Sequence, residues 1–184
     1  MSALAQTLMT VDEFLATAEE REGRWELENG VAYAMAPERA AHARVKGHAY
    51  MALWNAVRSA GLGCEALPDS IAVRISARTA YQPDALVYCG PHIENDVREI
   101  ENPVILVEVT SPSTGWRDAS KKLTGYFSLP SVMHYLMMHP DDRVLVHHKR
   151  AEGGLIETRI YSEGALRLDP PSLDLTISDL FGEA

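Results

Sequence analysis

The sequence predicts an α+β protein, with a mixed central sheet flanked by helices and an N-terminal hairpin. Three observations lead to that class. The stretch 40–59 repeats apolar residues at helical spacing. Two neighbouring apolar runs, Gln82-Pro83-Asp84-Ala85-Leu86-Val87-Tyr88 and Pro103-Val104-Ile105-Leu106-Val107-Glu108-Val109-Thr110, read as strands. The patterns then follow the order helix, strands, long helix, strands, helix, strands, with one helix-bearing crossover in the middle.

Each element has its own signal. Thr10-Val11-Asp12-Glu13 is a capping-box pattern, and Phe14, Leu15 and Ala18 follow it, which predicts a short helix over about 10–20. Arg24-Trp25-Glu26-Leu27-Glu28 and Val31-Ala32-Tyr33-Ala34-Met35 flank Asn29-Gly30, the pattern of a type I′ turn between two strands. Val45, Ala49, Ala52, Leu53, Ala56 and Val57 form the stripe of the long helix, which Gly61 and Gly63 stop. Strands follow at about 64–67, 70–75, 84–89 and 103–110, the last limited by Pro112. Leu123, Tyr126 and Phe127 predict a helix over about 117–128. The runs 132–138 and 143–148 form a hairpin turning at Pro140-Asp141-Asp142, and strands at about 156–161 and 165–168 finish the sheet.

Length and composition set bounds. The chain has 184 residues, which predicts one domain over 1–184. Its net charge is −9. That argues against an unspecific nucleic-acid binder with a basic surface. It leaves room for an enzyme whose cleft is locally positive or holds a cation. No apolar run approaches the ~20 residues of a membrane span, and the first residues have no signal-peptide pattern. The expected location is cytoplasmic. Cys64 and Cys89 lack metal-type spacing and are expected as two reduced thiols.

The chemistry sits in the two apolar runs. Asp84 and Glu108 each place a carboxylate in or beside a buried strand, which is costly unless the charge is paired or binds a metal. Side chains on neighbouring strands come within a few ångströms, so the two acids are expected to share one Mg²⁺ or Mn²⁺. Lys121 and Lys122 follow on the next helix and can add a positive charge. Acids, a divalent ion and a lysine are what metal-assisted phosphodiester hydrolysis needs. The alternative for Glu108 is a structural ion pair, and for Asp84 a backbone-bonded strand start.

The chain resembles the PD-(D/E)XK nuclease superfamily and, more closely, the Uma-two family of proposed restriction endonucleases. The resemblance runs from about Thr10 to Phe181. It is carried by Trp25-Glu26-Leu27-Glu28-Asn29-Gly30, His42-Ala43-Arg44-Val45, Gln82 to Tyr88, and Val107-Glu108-Val109-Thr110-Ser111-Pro112-Ser113-Thr114. Arg117-Asp118 and Lys122-Leu123 with Tyr126 complete it. It implies a restriction-endonuclease-like core and a divalent-metal site. It further implies that Glu26, Asp84 and Glu108 are the acids of that site and Lys122 its lysine. Two departures stand out. Thr110 occupies the place where the superfamily has its lysine, two residues after the second acid. His134-Tyr135-Leu136-Met137-Met138-His139-Pro140 replaces the family's usual Glu-Tyr-Trp and Asp-Pro.

Several residues keep two readings. Glu26 is a site acid or an exposed hairpin residue. Lys122 shares a helix face with Asp118 and Tyr126, and is either catalytic or a solvated partner of Asp118. Gln82 is a site residue or a strand-edge polar group. His42 faces a cleft or lies at the surface of a helix start. His139, His147 and His148 read as strand and turn residues, Trp54, Phe14 and the methionines as core. Ser111 and Ser113 lack a Gly-x-Ser-x-Gly elbow and read as a helix cap. The expected function is a metal-dependent endonuclease acting on nucleic acid, with DNA ahead of RNA and no membrane partner. The rivals are a non-catalytic binding module with the same fold, and an acidic protein that forms a homodimer through an apolar sheet edge.

Overall fold

The computed structural model describes residues 8–69, 71–110 and 116–182, with backbone alone for 116–118. Helix α1 (Val11–Ala16) starts at the expected capping box: Thr10 accepts from the Glu13 N–H, and the Glu13 side chain accepts from the Thr10 N–H. The chain then tightens into a 3₁₀ turn at Ala18–Glu20, so this helix is shorter than its pattern suggested. Strands β1 (Trp25–Glu28) and β2 (Val31–Ala34) pair antiparallel around Asn29 and Gly30. Both turn residues have positive φ, 50° and 83°, as a type I′ turn requires. Helix α2 (Ala40–Ala60) buries Val45, Ala49, Ala52, Leu53 and Val57, and ends at Gly61 in the left-handed region.

The other strands are β3 (Glu65–Pro68), β4 (Ala72–Ser76), β5 (Thr79–Tyr81), β6 (Ala85–Tyr88), β7 (Glu99–Ile100) and β8 (Pro103–Val109). Helix α3 (Trp116–Ser128) then leads to β9 (His134–His139), β10 (Val144–Arg150), β11 (Ile156–Tyr161), β12 (Ala165–Leu168), β13 (Leu173–Thr176) and helix α4 (Ile177–Phe181). A six-stranded sheet has the order β11-β10-β9-β8-β6-β3, and a five-stranded one the order β2-β1-β5-β4-β7. In the larger sheet only β8 and β9 run parallel, joined by the α3 crossover. Mixed sheets flanked by helices give the α+β class that the sequence predicts.

Two sheets stand where one was expected. Strands β5, β7 and β13 are short, two to four residues, and leave little periodicity to read. Strand β12 does not finish the main sheet. It pairs with β13 in a separate ribbon whose Leu166, Leu168, Leu173 and Leu175 are all buried in the α2-side core.

The larger sheet is covered on both faces, and alternation sorts its residues. Val87, Ile105, Val107, Val109, Leu136 and Met138 pack with α2, α4 and the ribbon. Leu86, Leu106 and Tyr135 pack on the other side with Tyr126 of α3 and with Val73 and Tyr81 of the smaller sheet. Among the described residues no helix is long and apolar enough to cross a membrane.

The cysteine expectation is overturned. Cys64 and Cys89 form a disulfide. Strands β3 and β6 pair Glu65 with Tyr88, so the next opposed positions are the two cysteines, with Cα atoms 4.1 Å apart. Only the strand pairing reveals this.

Strands β9 and β10 bury a histidine pair, with His134 Nδ1 2.9 Å from His147 Nε2 and His134 Nε2 2.9 Å from the Pro170 carbonyl. Burial lowers both rings, His134 to about 4 and His147 to about 3. Their folded values lie below the unfolded value of about 6.5. Their contribution to stability is therefore complete above that pH and is lost as pH falls towards 4. Glu108, raised to about 7, acts with the opposite sign between pH 7 and its ordinary value. The diagnostic is thus a comparison: thermal melts from pH 7 to 4 should show a smaller loss for His147→Gln than for the parent chain. Equal losses would remove the pair as the acid-sensitive element.

Candidate active site

The register that pairs Ala85 with Val107 sets Asp84, just before β6, beside Glu108 near the end of β8. Both continue the face that buries Leu86 and Leu106. The Asp84 N–H donates to the Val107 carbonyl at 2.9 Å, and the Val109 N–H donates to Asp84 Oδ2 at 2.6 Å. Asp84, Glu108 and Lys122 are only 5%, 7% and 7% exposed. They line an open pocket of about 560 Å³ together with Glu26, Glu38 and His42.

Lys122 comes from α3. Its Nζ donates to Glu108 Oε1 at 3.0 Å and to Glu26 Oε1 at 2.9 Å. One turn on, the Tyr126 hydroxyl donates to the same Glu108 oxygen at 2.6 Å. Gly125 lets α3 lie this close, because a Cβ there would meet the Tyr81 ring at 2.9 Å. Lys121 turns to a different acid, Glu28, at the more exposed end of β1. Asp118, the remaining member of the Asp118-Lys122-Tyr126 spacing, has its side chain outside the described residues, as do all of 111–115.

Glu26 points into the pocket from β1. Besides Lys122, its Oε1 accepts the Gln82 N–H at 3.0 Å. Gln82 thus meets the site through its backbone, while its buried side-chain oxygen has no hydrogen-bond partner among the described residues. His42 faces the cleft from α2, with Nε2 3.8 Å from Asp84 Oδ2. Thr110, in the superfamily's lysine position, bonds instead to the Met138 carbonyl and the His139 ring.

A second charged group went unread in the sequence. Lys46 of α2 reaches Asp84 Oδ1 at 2.9 Å, Asp69 Oδ2 at 2.6 Å and Glu38 Oε1 at 2.7 Å. Arg24 joins it, at 2.6 Å from Glu38. The signal was present, since His42 and Lys46 precede Ala49 and Leu53 on the buried stripe of the helix. A lysine there reads as a surface charge until the acids opposite it are known.

Electrostatics divide the two acids. Burial raises the Glu108 carboxyl to about 7; Lys122 opposes that rise, while Asp84 and Glu26 add to it. Burial would raise Asp84 too, but the His42 ring and the Lys46 ammonium outweigh it and hold that carboxyl low. Burial disfavours the charge on Lys122, yet Glu108 and Glu26 more than offset it, so the ammonium stays protonated well above its ordinary range.

One group of donors could hold a cation, in competition with the Lys46 ammonium that already binds two of its members. Glu38, His42 and Asp84 each offer one ligand atom, all within 4.8 Å of one another. Two carboxylate oxygens and an imidazole nitrogen suit Mn²⁺, and carboxylates with water suit Mg²⁺.

The two sheets and their helices define a restriction-endonuclease-like fold. A solved structure described as "a putative nuclease belonging to DUF820 from Anabaena variabilis ATCC 29413" superposes with a TM-score of 0.72. It is 18% identical, and the match covers 94% of this chain and 97% of that one. The model of the Uma2 family, described as "Putative restriction endonuclease", matches residues 11–179, and the chain belongs to that family. No curated protein matches it.

Proposed function

We propose that this protein is a metal-dependent endonuclease that hydrolyses phosphodiester bonds, with DNA as substrate and Mg²⁺ or Mn²⁺ as its ion. The observation that carries the reading is Asp84 beside Glu108, with the Lys122 ammonium in the same open pocket. Asp84 and Glu108 would hold the ion, and Glu38 and His42 add donors on the Asp84 side. When bound, such an ion acts as a Lewis acid and lowers the pKa of a bound water. Lys122 orients the attacking water and stabilises charge developing on the phosphorus oxygens. Glu26 and Glu108 fix its ammonium from two sides, and Tyr126 steadies the shared Glu108 oxygen. Glu26, the third acid of the predicted metal set, enters as the group that holds the lysine.

The rival is a binding module that keeps the fold without catalysis. Retention of Asp84, Glu108 and Lys122 in one pocket favours the enzyme. The test pairs plasmid cleavage with thermal melts, each with Mg²⁺, Mn²⁺ or chelator. Metal should be required for cleavage and should raise the melting temperature, by about 2.7 kcal/mol of stability at a hundredfold excess over Kd. Asp84→Asn should lose both effects. No cleavage and no shift with either ion would sink the proposal.

A further inference from the structure

Strand β11 ends the six-stranded sheet, and among the described residues it pairs with β10 alone. Every position from Ile156 to Ile160 is exposed, Ile160 at 71%, and Leu155 just before the strand at 68%. Edge strands are normally blunted by charged side chains, lysine above all, by proline or by a bulge, and the charges on β11, Glu157 and Arg159, are of opposite sign. The run Ile156-Glu157-Thr158-Arg159-Ile160-Tyr161 has no lysine or proline, and its six register pairs with β10 run without a shift. The opposite edge, β3, is shorter and ends at Pro68.

The sequence of this edge is complementary to itself. Two copies laid antiparallel with Thr158 on the two-fold axis bring Ile156 opposite Ile160, Glu157 opposite Arg159 and Leu155 opposite Tyr161, each twice. Alternation then places Ile156, Thr158 and Ile160 on one face, as a β-branched ladder across both copies. Glu157 and Arg159 fall on the other face and form two inter-copy ion pairs. Within one chain the same two residues make only a loose 3.5 Å contact, and both are more than half exposed.

We propose that β11 is a homodimerisation strand, which pairs with β11 of a second copy and joins the two six-stranded sheets into one across a two-fold axis at Thr158. The self-complementary charges select a second copy as the occupant rather than an unrelated strand. Strands β10 and β9 separate β11 from β8, so the interface is independent of the pocket and of the function proposed for it. One strand buries modest area, so association should depend on concentration.

The test is sedimentation of the full chain over roughly 1 to 200 µM, a range that spans micromolar dissociation constants. The parent chain should rise to twice the chain mass. E157R and R159E each bring like charges together twice, and each should raise the dissociation constant at least about tenfold. Mixing the two single variants restores both opposite-charge pairs and should restore the dimer, as should the double variant E157R/R159E. Circular dichroism of each variant verifies the fold, and I160T, a β-branched polar replacement, gives a second route to the monomer. A parent chain that stays monomeric throughout would overturn the proposal. So would a dimer insensitive to E157R, or one that mixing does not rescue.

Discussion

Alanine at Asp84 or Glu108 should lower metal-dependent cleavage by orders of magnitude while leaving the chain folded. Removing an ion ligand takes away water activation and charge stabilisation together, so the loss far exceeds that of one hydrogen bond. The structure adds an asymmetry in stability. Asp84 accepts the Val109 N–H, and its loss strands that buried donor, worth about 1–3 kcal/mol when left unsatisfied, while Lys46 keeps Asp69 and Glu38. Loss of Glu108 strands one buried donor too, the Tyr126 hydroxyl, but it also removes a carboxylate that burial and repulsion from Asp84 and Glu26 disfavour, and Lys122 keeps Glu26. Glu108→Ala should therefore melt closer to the parent than Asp84→Ala does. Plasmid cleavage beside thermal melts checks both parts. Cleavage that persists in either variant would place the activity elsewhere, and unfolding of both would make the pair purely structural.

Lys122→Met should abolish cleavage and also destabilise the protein, by about 3–5 kcal/mol. Methionine keeps the apolar stem, so the cost isolates the charge. Without the ammonium, Glu26 and Glu108 face each other with no shared cation. The Glu108 carboxyl, already raised by burial, should rise further because the group that opposes the rise is gone. Protonating Glu108 relieves the repulsion, so the penalty should shrink as pH falls through neutrality. Combining Lys122→Met with Glu108→Gln should recover much of the stability and none of the cleavage. Denaturant titration of the two single variants and the double one measures the coupling. Full stability in Lys122→Met would reduce the lysine to a solvated surface charge.

The acid pair was legible because one carboxylate interrupts each of two strong apolar runs, and neighbouring strands bring such positions together. Lys122 was legible through its four-residue offset from Tyr126, which the structure uses twice, on two donors to one oxygen. Long elements such as α2 and β8 declared themselves by period. Lys46, Glu38, Asp69 and Arg24 did not, because their meaning lies in one another, across helix, strand and loop. The disulfide was hidden for the same reason: Cys64 and Cys89 are neighbours only once β3 lies against β6. The division into two sheets depended on strands too short to carry a pattern.

The Glu26–Lys122 bond spans 96 residues of sequence and ties the first hairpin to the crossover helix. Asp84 and its Val109 donor are 25 residues apart. Contacts of this reach are made late, since each must first meet the entropy of closing a long loop. Asp84, Glu108, Lys122 and Tyr126 all lie within the stretch 84–126, whereas Glu26 comes from the first hairpin. The Glu26–Lys122 tie therefore closes only when the first hairpin docks on α3, so the lysine is clamped from both sides only in the finished fold.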